Sequence, residues 1–240
     1  MSWLCEELKF EKDWYLNLIK NGNEKIIIAE FIKRNLMQSR IGNFLEVGMG
    51  TNPIFAALLS SEVKDYLIVE KEEVGDCKLP ENVRLLTDDF EKIQLNNMFD
   101  LILLSHVIYY FQDLKASIRK VLSHLTKTGK AVFVVNGPEN DYGRLKGAFS
   151  SITNTSWTFT YHRLKEQLKN CTYEEYSIES CINFKIPEEL YESVRLFFDV
   201  YPVEFNEHKR EIIKWMEENI QNNIFKMDQK IIVVGANYDF

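Results

Sequence analysis

The sequence lacks cysteine patterns, long apolar runs and repeats, the features that would place it in a specialised class of protein. Its four cysteines, Cys5, Cys77, Cys171 and Cys181, show neither the close pairing of a disulfide framework nor the spacing of a metal site. No apolar run approaches the roughly 20 residues of a membrane span, and no repeat or low-complexity segment is present. We therefore expect reduced thiols, no metal and no membrane contact, in a cytoplasmic protein.

Basic residues are also fewer than acidic residues. Lysine and arginine number 29 against 36 acidic residues, so the formal charge is −7. A net acidic surface disfavours a general binder of phosphate backbones, and we expect no nucleic-acid partner. The first residues lack the basic-then-apolar pattern of a secretion signal, because Glu6, Glu7 and Glu11 lie there. The length of 240 residues and the 45% hydrophobic content suit an ordinary globular α/β protein.

A turn with two glycines lies near residue 50. Residues 44–47 predict a buried strand that ends at Gly48 and Gly50, and an apolar helix is predicted just after them. Glycine suits a sharp strand-to-helix turn that approaches a ligand, and the helix would direct its N-terminal amide groups at that ligand. Many α/β proteins contain such a turn. It becomes informative because a second predicted strand ends in an acid, Glu70, about 20 residues later.

The order of the predicted elements is that of an α/β fold. We predict helices 3–20 and 24–37, strand 43–47, helix 53–61, strands 66–70, 83–87 and 99–104, helix 114–125 and strand 130–136. The strands are nearly continuous apolar runs, which is typical of a parallel sheet covered by helices on both faces. Gly129 is interpreted as the residue that ends helix 114–125.

The pattern changes after residue 136. We predict short helices 142–149 and 161–169, a strand 173–184, helices between Pro187 and Ile220, and a last strand 229–236. Pro202 is predicted to end the first of those later helices. Because consecutive strands normally have far shorter connections, we interpret 187–222 as a helical insertion whose aromatic faces cover a ligand pocket. The sequence thus predicts one domain, 1–240, with N-terminal helices 1–39, a sheet core 40–186, the insertion, and a last strand from 223 to 240.

Polar residues follow the predicted strands, and the carboxyl ends of parallel strands meet at the ligand-binding edge of a sheet. In chain order they are Gly48 and Gly50, Glu70, Asp88-Asp89-Phe90, and Ser105-His106. Glu70 can accept two charge-assisted hydrogen bonds from a ribose. Asp88 can accept from the amino group of an adenine while Phe90 covers the ring. Simpler interpretations are a solvated loop acid for Glu70, a turn or cap for Asp88-Asp89, and a helix-start residue for His106.

These residues resemble the motifs of class I S-adenosylmethionine-dependent methyltransferases. Residues 46–52 are similar to the first motif, with Asn52 in place of a third glycine, and 88–90 and 99–105 are similar to the adenine motif and the fourth strand. The resemblance covers roughly residues 40–136. It implies a Rossmann-like, seven-stranded, mostly parallel sheet with helices on both faces, plus the helical insertion between the last two strands. It also implies S-adenosyl-L-methionine as cofactor, bound by Glu46, Gly48, Gly50, Glu70, Asp88, Asp89, Phe90 and Ser105.

A narrower resemblance is to the histamine N-methyltransferase family. It rests on residues 106–113, on 134–137 before a short aromatic helix, and on the insertion. It implies a small soluble acceptor with an amine or imidazole nitrogen. Glu24 is at the place of a glutamate that anchors the acceptor amine, and His106 stands where that family has a glutamine, which argues against histamine itself. We therefore expect Glu24 and His106 to be catalytic and acceptor-binding, with Tyr109 and Tyr110 lining the pocket.

Other functions stay open on the sequence. O- or C-methylation of a small metabolite would use the same cofactor residues. Nucleic-acid methylation is disfavoured by the acidic balance and by residues 105–108, which replace the Asn/Asp-Pro-Pro-aromatic run expected there. A cofactor-binding scaffold without activity would be expected to lack Glu70 or the glycines, and all are present. No oligomeric state is predicted.

Overall fold

A computed structural model describes residues 11–75 and 77–236 of the chain. The strands are β1 Ile41–Val47, β2 Val63–Glu70, β3 Val83–Thr87, β4 Phe99–Ser105, β5 Leu125–Glu139, β6 Tyr173–Asn183 and β7 Ile224–Gly235. The helices are α1 Lys12–Asn21, α2 Glu24–Leu36, α3 Ile54–Leu59, α4 Leu114–Ser123, α5 Asn140–Thr153, α6 Thr160–Gln167, α7 Pro187–Val194, α8 Pro202–Glu207 and α9 Lys209–Asn219. Short 3₁₀ turns are Ser60–Glu62, Ile108–Tyr110 and Arg195–Phe198. Residues 3–10 of the first predicted helix lie outside the described residues.

The seven strands form one sheet in the order β3-β2-β1-β4-β5-β7-β6. The pairings of β1 with β2 and β4, of β2 with β3, and of β4 with β5 are parallel. The chain leaves β1 for β2 on one side and later crosses to β4 on the other side. The carboxyl ends of β1, β2 and β4 therefore lie together where the strand order reverses, which is the usual ligand-binding place in such sheets. The predicted Rossmann-like fold, with its mostly parallel seven-stranded sheet, is confirmed.

The chain divides into two compact units. Among the described residues, the sheet unit comprises Lys25–Val135, Thr160–Ile178 and residues 230–236, and the insertion unit comprises residues 11–24, Asn136–Phe159 and Glu179–Gln229. The insertion unit contains α7, α8 and α9, the helices that separate β6 from β7 along the chain.

The sheet unit is apolar on both faces of its central strands. In β1, Leu45 and Val47 belong to a cluster that includes residues of α4 and α6, whereas Phe44 belongs to one that includes residues of α2 and α3. All three side chains are fully buried. A strand covered on both faces gains nothing from alternating polar residues, which explains the continuous apolar runs of the sequence.

The insertion unit has an aromatic core of its own. α7, α8 and α9 contribute Tyr191, Phe205 and Met216, which pack with Phe149 of α5 and with Phe198. The rings of Phe198 and Phe205 are stacked with centroids 4.4 Å apart, and those of Tyr191 and Phe205 are stacked at 4.5 Å. The aromatic residues of 187–222 thus form a packed core. Their predicted role over an acceptor pocket stays a prediction.

The interpretation of Gly129 as a helix end is wrong. Helix α4 ends at Ser123, and β5 begins at Leu125, so Gly129 lies within the strand. The ladder between β4 and β5 shifts register between Phe99 and Leu101. A side chain at Gly129 would place its Cβ 2.6 Å from the carbonyl oxygen of Phe99. Glycine is needed at this irregular point because the neighbouring backbone approaches closely.

The interpretation of Pro202 is also incomplete. It follows the preceding turns, as predicted, but it also begins a separate helix, α8, at a first-turn position. Proline is favoured there because the first amide groups of a helix have no partner within the helix, and its fixed φ suits the helix. The sequence pattern did not predict α8, which has only six residues.

Within residues 11–75 and 77–236, no helix combines the length and the apolar character needed to cross a bilayer. The same residues include no group of three or more His, Cys, Asp or Glu side chains placed to hold a metal ion. Cys77, Cys171 and Cys181 are free thiols, and Cys5 lies outside the described residues.

Candidate functional site

The turn after β1 has the backbone conformation that glycine permits. Gly48 and Gly50 have φ angles of +75° and +71°, a region that other residues rarely occupy. The Gly48 N–H donates to the carbonyl oxygen of Val69 at 2.9 Å. A Cβ at Gly48 would lie 2.4 Å from a methyl carbon of Val107, so this position has no room for a side chain. Glycine is therefore required at position 48 both by its positive φ and by the close approach of Val107 at the carboxyl end of β1.

Glu70 is the last residue of β2 and contacts this turn directly. Its Oε2 accepts a hydrogen bond from the Gly50 N–H at 2.9 Å, and its Oε1 accepts one from the Glu72 N–H at 3.0 Å. The side chain is buried. A carboxylate has about four acceptor positions, and these two bonds occupy one on each oxygen. Glu70 is thus fixed beside the glycine turn with acceptor positions left for two donors such as hydroxyl groups.

Asp88 and Asp89 follow β3 and differ in their surroundings. Asp88 is exposed, and its N–H donates to the carbonyl oxygen of Glu70 at 2.9 Å. Asp89 accepts from the Glu91 N–H at 2.9 Å, and its carboxylate lies 3.2 Å from the ammonium group of Lys92. Burial raises the pKa of Asp89, but these hydrogen bonds outweigh it, and the pKa falls below its ordinary value. Asp89 therefore holds its own turn together, and its cofactor contact stays a prediction.

Phe90 is buried in the apolar core of the sheet unit. Its ring stacks on Phe111 with the centroids 5.8 Å apart, and the Lys120 ammonium lies 5.0 Å from the ring centroid. The lysine also donates to the carbonyl oxygen of Phe90. The ring of Phe90 thus anchors the loop after β3 in the core of the sheet unit. Its predicted contact with an adenine stays a prediction.

Glu91, which the sequence analysis did not single out, joins two of the loops at the strand ends. Its carboxylate accepts from the N–H groups of Gln112 and Asp113 and from the hydroxyl of Ser117, each at 3.0 Å. Asp113 in turn caps α4 by accepting from the Ala116 N–H at 2.9 Å. The loop after β3 is therefore tied to the start of α4. These partners are 21 to 26 residues away in sequence, so no local pattern indicated the contact.

Ser105 and His106 end β4. The Ser105 side chain is buried, and its hydroxyl has no hydrogen-bond partner among the described residues. His106 has a φ angle of +54°, and its N–H donates to the carbonyl oxygen of Val134 at 3.0 Å. Its Nδ1 lies 3.0 Å from the hydroxyl of Tyr109. This contact fixes the orientation of the imidazole ring. The rings of Tyr109 and Tyr110 meet edge to face, 6.3 Å apart.

Glu24, the first residue of α2, belongs to the insertion unit. Its side chain is only 3% exposed, which is rare for a carboxylate. The preceding residue, Asn23, pairs with Cys181 of β6 through two hydrogen bonds, one from each backbone N–H, at 3.1 and 2.8 Å. The start of α2 is therefore fixed against β6.

The chain matches a protein family described as "Methyltransferase domain" over residues 22–191. This match covers more than half of the chain and includes the glycine turn, Glu70 and the ends of β3 and β4. The chain belongs to this family. Together with the class I fold and the strand-end residues, the family identifies an S-adenosylmethionine-dependent methyltransferase. No curated protein sequence matches the chain significantly.

Solved structures of other methyltransferases share the fold at low sequence identity. A putative methyltransferase from an antibiotic biosynthesis pathway of Anabaena variabilis has a TM-score of 0.60 and 16% identity, with 87% of this chain and 96% of that chain covered. A putative methyltransferase from Bacillus halodurans has a TM-score of 0.57 and 14% identity, with 87% and 98% covered. The N-methyltransferase NodS from Bradyrhizobium japonicum, in complex with S-adenosylhomocysteine, has a TM-score of 0.53 and 13% identity, with 95% and 94% covered.

The strand ends of this methyltransferase fit a cofactor that carries hydroxyl and amino groups. The hydroxyl of Thr51, directly after Gly50, is buried and has no hydrogen-bond partner in the described part of the chain, as is also true of Ser105. Buried polar atoms without a partner are rare. They lie after β1 and at the end of β4, and Glu70 supplies further acceptor positions. This arrangement favours a polar ligand at these strand ends. Thr51 was missed because a hydroxyl after a glycine turn has no distinctive spacing.

Glu46 of the methyltransferase is buried within β1, and its Oε2 accepts from the hydroxyl of Tyr66 at 2.7 Å. Burial raises the pKa of Glu46 to about 7, although the Tyr66 hydrogen bond and the charge of Lys25 oppose that shift. The folded state therefore favours the protonated carboxyl group. Its predicted contact with the cofactor stays a prediction.

This pKa makes the stability of the methyltransferase depend on pH. A carboxyl group whose pKa is raised in the folded state stabilises the fold below its unfolded pKa, and that contribution is lost as the pH rises through the folded pKa. Between the ordinary value of 4.5 and about 7, the loss amounts to roughly 3 kcal/mol at 1.36 kcal/mol per unit. We expect Glu46→Gln, which stays neutral and can still accept from Tyr66, to match the wild type near pH 4.5 and to be more stable above pH 7.

Urea unfolding at a series of pH values measures this difference. The exposed Glu30 of α2, which pairs with Arg34 at 3.8 Å, offers a matched control, and Glu30→Gln should keep the wild-type pH profile. A Glu46→Gln variant whose unfolding free energy still fell between pH 5 and pH 8 as in the wild type would contradict the assignment.

Proposed function

We propose that this methyltransferase transfers a methyl group to a nitrogen of a small soluble amine or imidazole compound, with His106 beside the reacting nitrogen. The observation that carries the proposal is the placement of His106 directly after β4, in a left-handed conformation and with its Nδ1 3.0 Å from the Tyr109 hydroxyl. Non-glycine residues in such conformations are uncommon and often occur at functional sites. The resemblance to the histamine N-methyltransferase family supports the same nitrogen chemistry.

The chain's own residues would bind the cofactor and position the acceptor. Glu70 would accept hydrogen bonds from the ribose hydroxyls, and the Thr51 and Ser105 hydroxyls would bind polar groups of the same ligand. When bound, S-adenosylmethionine supplies a methyl group on a positively charged sulfur. An aligned nucleophile can attack the methyl carbon in line and displace the sulfur. Alignment of two reactants supplies most of what such a reaction needs from a protein. His106 would accept the proton that the acceptor nitrogen loses.

Glu24 supports a cationic acceptor. A carboxylate that is 3% exposed stabilises a positive charge far more strongly than one in water, because the surrounding dielectric is lower. Glu24 suits an ammonium or imidazolium group of the acceptor that is separate from the methylated nitrogen, because the nitrogen that attacks the methyl group needs a free lone pair. Glu24→Gln removes the charge but keeps the shape, so we propose that it raises the Michaelis constant for the acceptor.

We expect His106→Asn to lower the turnover number at least tenfold and to leave the affinity for S-adenosylhomocysteine unchanged. Asparagine tolerates positive φ better than other non-glycine residues, so the variant keeps the backbone and removes only the base. Turnover by His106→Asn at the wild-type rate would contradict the role of His106.

Screening with isotopically labelled S-adenosylmethionine tests the substrate class. Small amines and imidazoles should accept label, whereas phenols, thiols and RNA should not. NMR spectroscopy of the product locates the new methyl group. A methyl group on oxygen, sulfur or carbon would overturn the nitrogen assignment while leaving the family assignment intact.

A further inference from the structure

A buried hydrogen-bond network crosses three neighbouring strands within the insertion unit. Gln229 of β7 donates through Nε2 to Oδ1 of Asn136 in β5 at 3.0 Å and to the hydroxyl of Ser180 in β6 at 2.8 Å. The strand order β5-β7-β6 brings these residues side by side. All three are at most 5% exposed, and Gln229 is fully buried. One end of the Gln229 amide is therefore held firmly by two strands.

The other end of the same amide has no hydrogen-bond partner among residues 11–75 and 77–236. The carbonyl oxygen Oε1 of Gln229 is buried and accepts no hydrogen bond from any described residue. A buried carbonyl oxygen is costly to leave without a donor, and native proteins pair almost all such atoms with protein groups, water or a ligand. The amide cannot rotate away to find a donor without breaking the two bonds made by its nitrogen. Gln229 thus presents a fixed hydrogen-bond acceptor.

The start of α2 lies beside this network. The isolated bridge between Gly22 and Ile182 and the paired Asn23 and Cys181 place the residues before Glu24 against β6. Ser180, a partner of Gln229, is the residue before Cys181. Glu24 follows Asn23, so a buried carboxylate and a fixed amide oxygen belong to the same part of the insertion unit. The amide oxygen of Gln229 suits a ligand that carries an N–H donor.

We propose that Gln229 is a specificity-determining residue for the methyl acceptor, and that its Oε1 accepts a hydrogen bond from an N–H group of an imidazole or amine ligand. This inference rests on the proposed function, because it assumes that the acceptor is a nitrogen base. Asn136 and Ser180 act as positioning residues that fix the amide. No sequence pattern indicated Gln229, since its partners are 93 and 49 residues away.

A pair of small probes tests the inference without knowledge of the natural acceptor. Imidazole carries an N–H donor, and 1-methylimidazole has lost that donor. We expect the wild-type protein, saturated with S-adenosylhomocysteine, to bind imidazole roughly tenfold more tightly, the usual effect of one neutral hydrogen bond. Gln229→Met keeps a similar volume but has no carbonyl oxygen, so the preference should disappear. A purely steric effect of the extra methyl group would persist in that variant. NMR titration measures both dissociation constants.

Ser180→Ala is the matched control. It removes one anchor of the network but keeps Oε1 of Gln229, so it should lower the thermal unfolding temperature and retain most of the preference for imidazole. Absence of imidazole binding or of a preference in the wild type, or an unchanged preference in Gln229→Met, would overturn the inference. The position of the methyl group in the enzymatic product tests the proposed function separately, so failure of one is distinguishable from failure of the other.

Discussion

Glu70→Ala should weaken the binding of S-adenosylhomocysteine about thirtyfold. The substitution removes the carboxylate that is expected to accept from two ribose hydroxyls, and hydrogen bonds to a charged group each contribute about 1.5–3 kcal/mol. It also removes the acceptor of the Gly50 N–H, which Glu70 holds at 2.9 Å. Part of the free energy is regained by water in the variant, so a net loss of about 2 kcal/mol is expected, which corresponds to the thirtyfold change. Isothermal titration calorimetry measures it directly.

The neighbouring Glu72 supplies the control for this measurement. Its backbone N–H donates to Glu70 at 3.0 Å, whereas its own side chain is exposed. Glu72→Ala therefore changes the local charge as Glu70→Ala does but keeps the backbone donor, and its affinity should stay close to that of the wild type. Equal affinities of Glu70→Ala and the wild type would remove Glu70 from the cofactor site.

The features of the fold and site that could be predicted from the sequence are those that nearby residues in the chain determine. Gly48 and Gly50 were recognised because a strand and a helix flank them closely, and Glu70 because it ends the next strand. The bounds of β3, Val83–Thr87, were predicted without error, since a short apolar run between turns leaves little choice. In each case local residues decide the conformation.

What could not be predicted depends on distant residues. Gly129 was interpreted as a helix end because glycine often ends helices, but the close approach of Phe99 across the sheet determines its role. The contact of Glu91 with the start of α4 and the network of Gln229 join segments that are far apart in the chain. Lys146 of α5 is a further example. Nothing in its local sequence distinguishes it from a solvent-exposed helical lysine.

Lys146 is in fact 1% exposed, inside the aromatic core of the insertion unit. Its ammonium nitrogen lies 3.1 Å from the ring centroid of Trp157, 4.2 Å from that of Phe198 and 5.5 Å from that of Tyr142. It also donates to the carbonyl oxygen of Phe197. Aromatic faces attract a cation, and the attraction grows when water is excluded. The side chain thus joins α5 to the segment 195–199.

Lys146 and Asp199 influence each other's protonation. Burial lowers the pKa of Lys146 well below its usual value, and the charge of Asp199 opposes this shift. Burial likewise raises the pKa of Asp199 to about 6, against the charge of Lys146. Removal of Lys146 would leave the partly buried Asp199 with only its hydrogen bonds from backbone N–H groups, whereas replacement of both by neutral groups of similar size should cost far less.

We therefore expect Lys146→Ala to reduce the free energy of unfolding by about 2–5 kcal/mol, since it empties the space between the rings and removes the cation that opposes the charge of Asp199. Lys146→Met fills that space with a flexible apolar chain, and the double variant Lys146→Met/Asp199→Asn also removes the charge of Asp199. The free energy of unfolding should therefore increase from Lys146→Ala to Lys146→Met to the double variant. Urea unfolding with a common m-value measures the series.

The exposed Lys214, paired with Glu218 at 3.8 Å in α9, is the control, and Lys214→Ala should change stability little. If Lys146→Ala were as mild as Lys214→Ala, the aromatic contacts of Lys146 and the influence of Asp199 would contribute nothing net. If the double variant were less stable than Lys146→Met, Asp199 would be stabilising the fold through contacts other than the lysine.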